Sequence, residues 1–242
     1  MWLHSCVSQS LSYGVGLEFK QPFISLNANT RYGAGITYSE MMYRYDVDED
    51  GATSLVVFAM PNQRFYQTVT GGIRKYFSPI RTTIGLKGLL MDSRGASLVN
   101  GSLLNTESLS FSLSPIVMLK VSEWLNIDYS LNCNQLYSYA DKRQRSKITY
   151  WRHFANAYGF IGNRNTLNLS TEYYSHQGEP YFFMDFGYQF TIPNPKLDFE
   201  LRWNNIFNSK KYVSYYSGAF TVQETVYQLR PMEVTFLVRF RF

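Results

Sequence analysis

An alternation of apolar and polar residues at period two recurs along almost the whole chain and constrains its fold more than any other feature. Leu11, Tyr13, Val15, Leu17 and Phe19 alternate with Ser12, Gly14, Gly16, Glu18 and Lys20. Leu109, Phe111 and Leu113 are threaded between Ser108, Ser110, Ser112 and Ser114, and Leu125, Ile127, Tyr129 and Leu131 between Asn126, Asp128, Ser130 and Asn132. The rule continues through Phe182, Met184, Phe186, Tyr188 and Phe190, then Leu197, Phe199, Leu201 and Trp203. Successive side chains of a strand point to opposite faces, so each stretch sorts one residue class onto each face. Helical spacing is scarce. With 20 Tyr and 18 Phe, residues that favour pleated surfaces, the chain is predicted to be all-β.

Period two alone leaves open which face is covered. In a soluble sandwich the apolar row is the core; in a membrane barrel it meets lipid. No stretch approaches the roughly 18 consecutive apolar residues of a membrane-crossing helix, and the apolar clusters Ser54–Met60 and Tyr181–Phe186 are strand-length. A mean hydropathy of -0.24 fits alternating strands, which average to mildly polar. Connections provide the discriminator. Short turns are predicted at Lys20–Pro22, Ser78–Pro79, Ser122–Glu123, Gly162–Asn163 and Pro193–Pro195. Longer polar connections are predicted at Asp46–Gly51, Asp92–Ser102, Asp141–Ser146, Ser175–Pro180 and Asn208–Thr221. Alternating tight turns and long loops are the habit of outer-membrane barrels.

The pattern predicts about eleven strands, near 11–20, 23–45, 62–77, 80–91, 103–121, 124–140, 146–160, 166–175, 181–192, 196–216 and 220–242. Pro61 leaves the start of the third strand open to either side. Pro115 removes a ladder donor, which predicts a bulge or kink. Between Ile148 and Tyr158 the alternation breaks, with Trp151 and Phe154 on opposite sides.

The last strand is the most regular. Met232, Val234, Phe236, Val238, Phe240 and Phe242 share one face, and Glu233, Thr235, Leu237, Arg239 and Arg241 the other. Arginine toward lipid costs up to several kcal/mol, so Arg239 and Arg241 are expected on the lumen side or at the interface. An aromatic chain end preceded by apolar residues at every second position resembles the assembly signal of outer-membrane β-barrels. That resemblance implies that Phe236, Val238, Phe240 and Phe242 are read by the β-barrel assembly machinery.

The stretch Leu201–Tyr212, with Asn205-Ile206-Phe207-Asn208-Ser209-Lys210-Lys211-Tyr212, resembles a motif near the end of TonB-dependent receptors. There, as here, an aromatic loop and a final strand follow, in this chain Tyr227–Pro231 and Phe240–Phe242. Phe23–Tyr32 is similar to a segment of the same outer membrane protein β-barrel branch. The resemblance implies a barrel of about 22 strands with a plug in its lumen. On that basis residues 1–242 are expected to be the C-terminal part of a receptor barrel, half of it in strand number by the hairpin count, placed in the outer membrane of a Gram-negative bacterium. The resemblance further implies uptake of a large nutrient or metal chelate, with lipid as a partner. The energy-coupling TonB complex would act only through a plug that this sequence does not contain. The alternative is a stand-alone barrel serving as porin, adhesin or structural protein.

Signals for chemistry are few. Met1–Cys6 lacks a basic segment followed by an apolar one, so no signal peptide is expected here. Cys6 and Cys133 have no metal-ligand spacing, and among His4, His153 and His176 none belongs to a catalytic motif. His176, near Glu172 and Glu179, is the one candidate for hydrolase chemistry, and an exposed, idle loop residue is the expected alternative. Asp46–Gly51 lacks the late glutamate of a calcium loop, so a solvated extracellular tip is the expected reading, with a weak calcium site as the alternative; no metal ligand and no cofactor is assigned. The net charge of +5 and the run Lys142–Arg145 carry no nucleic-acid motif. The chain is therefore expected not to be an enzyme. Tyr212, Tyr215, Tyr216 and Phe220, with Tyr150 and Trp151, are candidates either for ligand stacking or for an interfacial aromatic girdle.

Overall fold

The structure, a computed structural model, describes residues 8–49, 53–176, 179–194, 197–217 and 222–240. Its strands are β1 (Ser8–Gln21), β2 (Leu26–Val47), β3 (Thr53–Phe77), β4 (Thr82–Val99), β5 (Ser102–Lys120), β6 (Leu125–Ala140) and β7 (Arg143–Ile161). They continue with β8 (Asn165–His176), β9 (Glu179–Ile192), β10 (Leu197–Asn204), β11 (Lys211–Ser217), β12 (Val222–Gln228) and β13 (Glu233–Phe240). Eleven of them form one antiparallel sheet in the order β1 through β10 and then β13, while β11 and β12 form a separate hairpin. The strand expected at 196–216 thus divides into β10 and β11, and that at 220–242 into β12 and β13. The eleven-strand count of the main sheet stands.

Register keeps the two residue classes apart across the whole sheet. One row of paired positions runs Trp203, Phe186, Leu169, Ala157, Ile127 and Leu119; the adjacent row runs Arg202, Gly187, Asn168, Tyr158, Asn126 and Lys120. A slip of one residue at any strand would put its apolar set on the wrong face. Among the described residues, buried hydrophobic side chains are limited to Ala34, Met42, Ala140, Ile148, Tyr174 and Val213. The apolar rows stay open, with Leu11 74% and Phe240 68% accessible. No second sheet covers them among the described residues, so the sandwich arrangement does not apply.

The apolar face has a defined height. On β3 it lies between Lys75, whose ammonium sits 4.9 Å from the Phe77 ring centre, and Gln67. Eight residue steps of about 3.4 Å each and a tilt near 40° span about 21 Å, and the ten steps from Leu109 to Leu119 on β5 span about 26 Å. The upper border is one register row, Gln67, Asp92, Leu109, Tyr137 and Lys147. There Arg94 holds Asp92 at 2.8 Å and Glu107 at 3.4 Å, and Gln67 donates to Asp92 at 3.0 Å. The hydrogen bond and charge of Asp92, with Glu107 adding to them, raise the Arg94 guanidinium further above its ordinary value. A permanently charged cluster of this kind belongs outside hydrocarbon.

The short turns fall where the sequence predicts them. Two are 3-10 turns, Pro22–Ile24 and Ser78–Ile80, closed by left-handed Ser25 and Arg81. At the opposite rim the expected long loops are in part strand. Asp92–Ser102 belongs almost wholly to β4 and ends in a tight turn with positive φ at Asn100 (46°) and Gly101 (80°). Asp141–Ser146 reduces to a second two-residue turn at Asp141 (47°) and Lys142 (65°). Such turns match the twist of the flanking strands, and Asn, Asp and Gly tolerate the left-handed conformation. The Lys142–Arg145 run accordingly lies on a turn and the start of β7.

β3 runs through Pro61, and the register shift opposite Ser39/Met41 accommodates a residue with no amide donor. Pro115 produces no register shift. The β5–β6 ladder skips from Leu113–Cys133 to Ile116–Ser130, and Ser114 Oγ donates to Asn132 Oδ1 at 2.7 Å across the gap. The expected bulge is absent because the missing amide is absorbed by a local break in the ladder.

Two edges remain. Among the described residues β1 pairs with β2 alone and β13 with β10 alone. Each successive pair in the order β1 to β10 and then β13 is antiparallel, so β1 and β13 run in the same direction; a short parallel contact of β2 with β4, Arg44 with Leu98 and Tyr45 with Val99, lies beside this order.

The tip of the β2–β3 hairpin is tied to the β4–β5 turn. Asn100 N–H donates to Tyr45 O at 3.0 Å, Val47 N–H donates to Asn100 Oδ1 at 2.8 Å, and Asn100 Nδ2 donates to Val47 O at 3.1 Å. Asn100→Ala removes both side-chain bonds, about 1–3 kcal/mol in total. Hydrogen exchange of the Val47 amide is expected to accelerate at least tenfold, with the amides of β8 unchanged.

Candidate functional site: the polar face and its inward hairpin

The stretch after β10 turns the chain onto the polar face. Asn205 (φ 51°) and Asn208 (φ 54°) both take the left-handed conformation that asparagine tolerates. Asn205 Nδ2 donates to Ser209 O and to Arg230 O, each at 2.9 Å, while Ser209 N–H donates to Asn205 Oδ1 at 2.8 Å. Asn205 N–H donates to Asp185 Oδ1 at 2.7 Å, and Met232 N–H to Asn208 Oδ1 at 3.1 Å. Two amides thereby join the segment leaving the sheet to the one returning to it. Between them Phe207 packs on Phe182, with ring centres 5.2 Å apart.

The hairpin held by this clamp lays its aromatic residue against the polar face. The Tyr212 ring lies 5.2 Å from Tyr174, 6.4 Å from Tyr181 and 6.5 Å from Phe183. Tyr174 pairs with Tyr181 across β8–β9, in the row next to Tyr173 and Phe182 of the apolar face. Tyr150 joins at 6.1 Å from Tyr174. Tyr174 and Val213 are buried. A small aromatic core has therefore formed on the side of the sheet that is otherwise polar. Beside it Arg152 bonds Glu172 at 2.5 Å and lies 4.5 Å from the Phe154 ring centre.

Tyr212 thus lies on the polar side, and so does Tyr150. The neighbouring Trp151 is on the apolar face, opposite Phe154, as the broken alternation predicted. The side chains of Tyr215 and Tyr216, and all of Phe220, lie outside the described residues, as do His4, Cys6, Arg241 and Phe242. Phe236, Val238 and Phe240 line the exposed apolar face, and Phe236 stacks on Phe199 at 6.1 Å. Arg239 is on the other face, donating to Glu200 Oε2 at 2.6 Å.

His176 departs from its expectation as an exposed loop residue. It ends β8, is 2% accessible and stacks on Tyr174 at 6.4 Å. Glu172 is occupied by Arg152, and the Glu179 side chain lies outside the described residues. His153 faces the apolar side, its Nδ1 2.8 Å from the Tyr129 hydroxyl. Asp46 is held by Arg44 at 2.8 Å. Among the described residues no group of three or more His, Cys, Asp or Glu is placed to hold a metal ion.

The Asn205–Tyr212 motif does not by itself disclose what Asn205 and Asn208 do. Two asparagines three residues apart in a connection, one just after the last strand residue, are the signal for such a left-handed clamp.

No family model matches the chain, and no curated protein matches it. Among solved structures, an open form of the ferric-catecholate import receptor Fiu from E. coli K12 is similar over 97% of this chain and 46% of that one. The identity is 9% and the TM-score 0.47. The chain spans less than half the length of that structure. The all-β sheet itself is established by its register.

Asn205→Ala deletes three side-chain hydrogen bonds, about 2–4 kcal/mol of hairpin anchoring. Trypsin is expected to cut after Lys210 or Lys211 at least tenfold faster in this variant, while cleavage after Lys87 stays at the parent rate.

Proposed function

We propose that this chain is the C-terminal barrel portion of an outer-membrane, TonB-dependent receptor that takes up a large nutrient or metal chelate. The observation that carries this reading is the two-faced sheet. Eleven strands present one uncovered apolar face about 21–26 Å tall and one polar face, with too few buried apolar side chains to form a water-soluble core. Lipid is the solvent that satisfies the first face, and an aqueous lumen satisfies the second.

Strand direction supports a portion of a larger barrel over a stand-alone one. β1 and β13 are parallel to each other, so closing them directly would place one parallel pair in an antiparallel wall. An odd number of further strands restores antiparallel closure and an even total, and eleven more would make 22. The Asn205–Tyr212 motif and the aromatic rows of β13 support the receptor family, and Phe236, Val238, Phe240 and Phe242 are proposed to act as the assembly signal. On this reading the β11–β12 hairpin narrows the lumen at the rim opposite the short turns. Coupling to TonB would pass through a plug outside this sequence, and the wall has a transport rather than a catalytic role. Tyr212, Tyr215, Tyr216 and Phe220 are proposed as ligand contacts on that hairpin, with Tyr212 also anchoring it.

Two measurements test the reading. In the complete barrel that contains this chain, Leu113→Arg, at mid-height of the apolar face, is expected to cost about 2–4 kcal/mol in a urea titration in lipid vesicles, and Ser112→Arg on the polar face less than about 1 kcal/mol. Equal costs would remove the lipid assignment. In semi-native electrophoresis the 242-residue chain alone is expected to give no heat-modifiable band; such a band would favour a stand-alone barrel. Genomic sequence immediately upstream should encode further strands and a plug in frame.

A further inference from the structure

Charge on the polar face is divided between its two halves. Across β1–β5, polar-face positions carry Lys20, Arg31, Arg64, Arg74, Lys87 and Lys120 against the single acid Glu18. Across β6–β10 and β13 acids predominate, and the cations there are ion-paired: Arg152 with Glu172, and Arg202 and Arg239 both with Glu200. Among the described residues the one ion pair on the basic half of the polar face is Lys20 with Glu18, at 2.8 Å and largely exposed. Arg31, Arg74, Lys87 and Lys120 are exposed and make no ion pair among the described residues.

Register brings these cations together. Arg74 pairs with Gly85, and Lys87, two residues further along β4, pairs with Gly72. Arg74 and Lys87 are therefore diagonal neighbours on adjacent strands, about 7–8 Å apart at the backbone. Lys20 and Arg74 flank Asn27 in one row, and Arg31 lies on β2 two residues beyond Asn29. Like charges at these separations oppose one another.

Glycine opens space among them. A Cβ on Gly72 would lie 3.2 Å from Asn29 Oδ1 and 3.7 Å from Lys87 Cγ; one on Gly85 would lie 3.8 Å from Arg74 Cβ. Their absence leaves a depression of about 410 Å³ walled by Asn27, Asn29, Thr70, Arg74 and Lys87, with Glu18 at its margin. Two guanidinium or ammonium groups, two amides and a hydroxyl around an open floor form a donor-rich surface.

We propose that this depression binds a small polyanion, a solute carrying two or more phosphate or carboxylate groups, with Arg74 and Lys87 as the principal contacts and Asn27, Asn29 and Thr70 as neutral partners. A bound anion offsets the repulsion among the cations, and the forked donors of arginine suit either oxyanion. If the transport reading holds, the site faces the lumen and defines an anion-favouring half of the wall. The binding claim itself does not require transport.

Titration calorimetry on the full chain in dodecyl maltoside, with pyrophosphate and citrate as separate probes, tests the proposal. Saturable binding of at least one is expected, weakening as NaCl rises from 20 to 300 mM, and the two arms distinguish phosphate from carboxylate preference. R74Q/K87Q is expected to weaken binding at least tenfold, whereas R74K/K87R should stay within about threefold and R202Q, on the acidic half, within twofold. The proposal is overturned if neither probe binds, if R74Q/K87Q leaves affinity within twofold of the parent, or if R202Q weakens it as much.

Discussion

Everything in this structure depends on backbone pairing that leaves no choice of face. Once the ladders from β1 to β13 are in register, each side chain is committed to one side by the pleat, and the sequence has placed most of its large aliphatic and phenylalanine side chains on one of them. In water that arrangement would expose an apolar wall without a core to offset the cost of ordering so many residues. In lipid the same wall is the stabilised surface, and the ladder satisfies the amides that hydrocarbon cannot.

Two departures from this division have compensating contacts. Asp92, Arg94 and Glu107 stand on the apolar face, but at its upper border and paired with one another. Tyr174, Tyr181 and Phe183 stand on the polar face, where the β11–β12 hairpin covers them through Tyr212. The asparagine clamp at Asn205 and Asn208 brings that hairpin inward rather than letting it continue the line of β10.

Most of the fold was legible because period two is a local property. The rows Leu11–Phe19 and Phe182–Phe190 can be read off the chain, as can the proline-marked turns at Pro22 and Pro79. Strand ends at the opposite rim were less legible, since serine, asparagine and aspartate serve equally in a loop and in a strand that runs past the apolar face. Asp92–Ser102 looked like a loop for that reason. The hairpin was missed because its direction is set by side-chain hydrogen bonds between residues as far apart as Asn205 and Arg230. The burial of His176 was missed because it depends on what folds over it. The charge division of the polar face required register, which shows that Arg74 and Lys87 are neighbours although thirteen positions apart.

The longest strands, β2 and β3, rise well past the apolar border, and a two-stranded ribbon has little stability of its own. Asn100 braces it from the next turn along the rim, at Tyr45 and Val47. Mechanically the ribbon is a propped beam rather than a free cantilever. A load applied at its tip passes first into the β4–β5 turn and is shared by four strands before it can bend the wall.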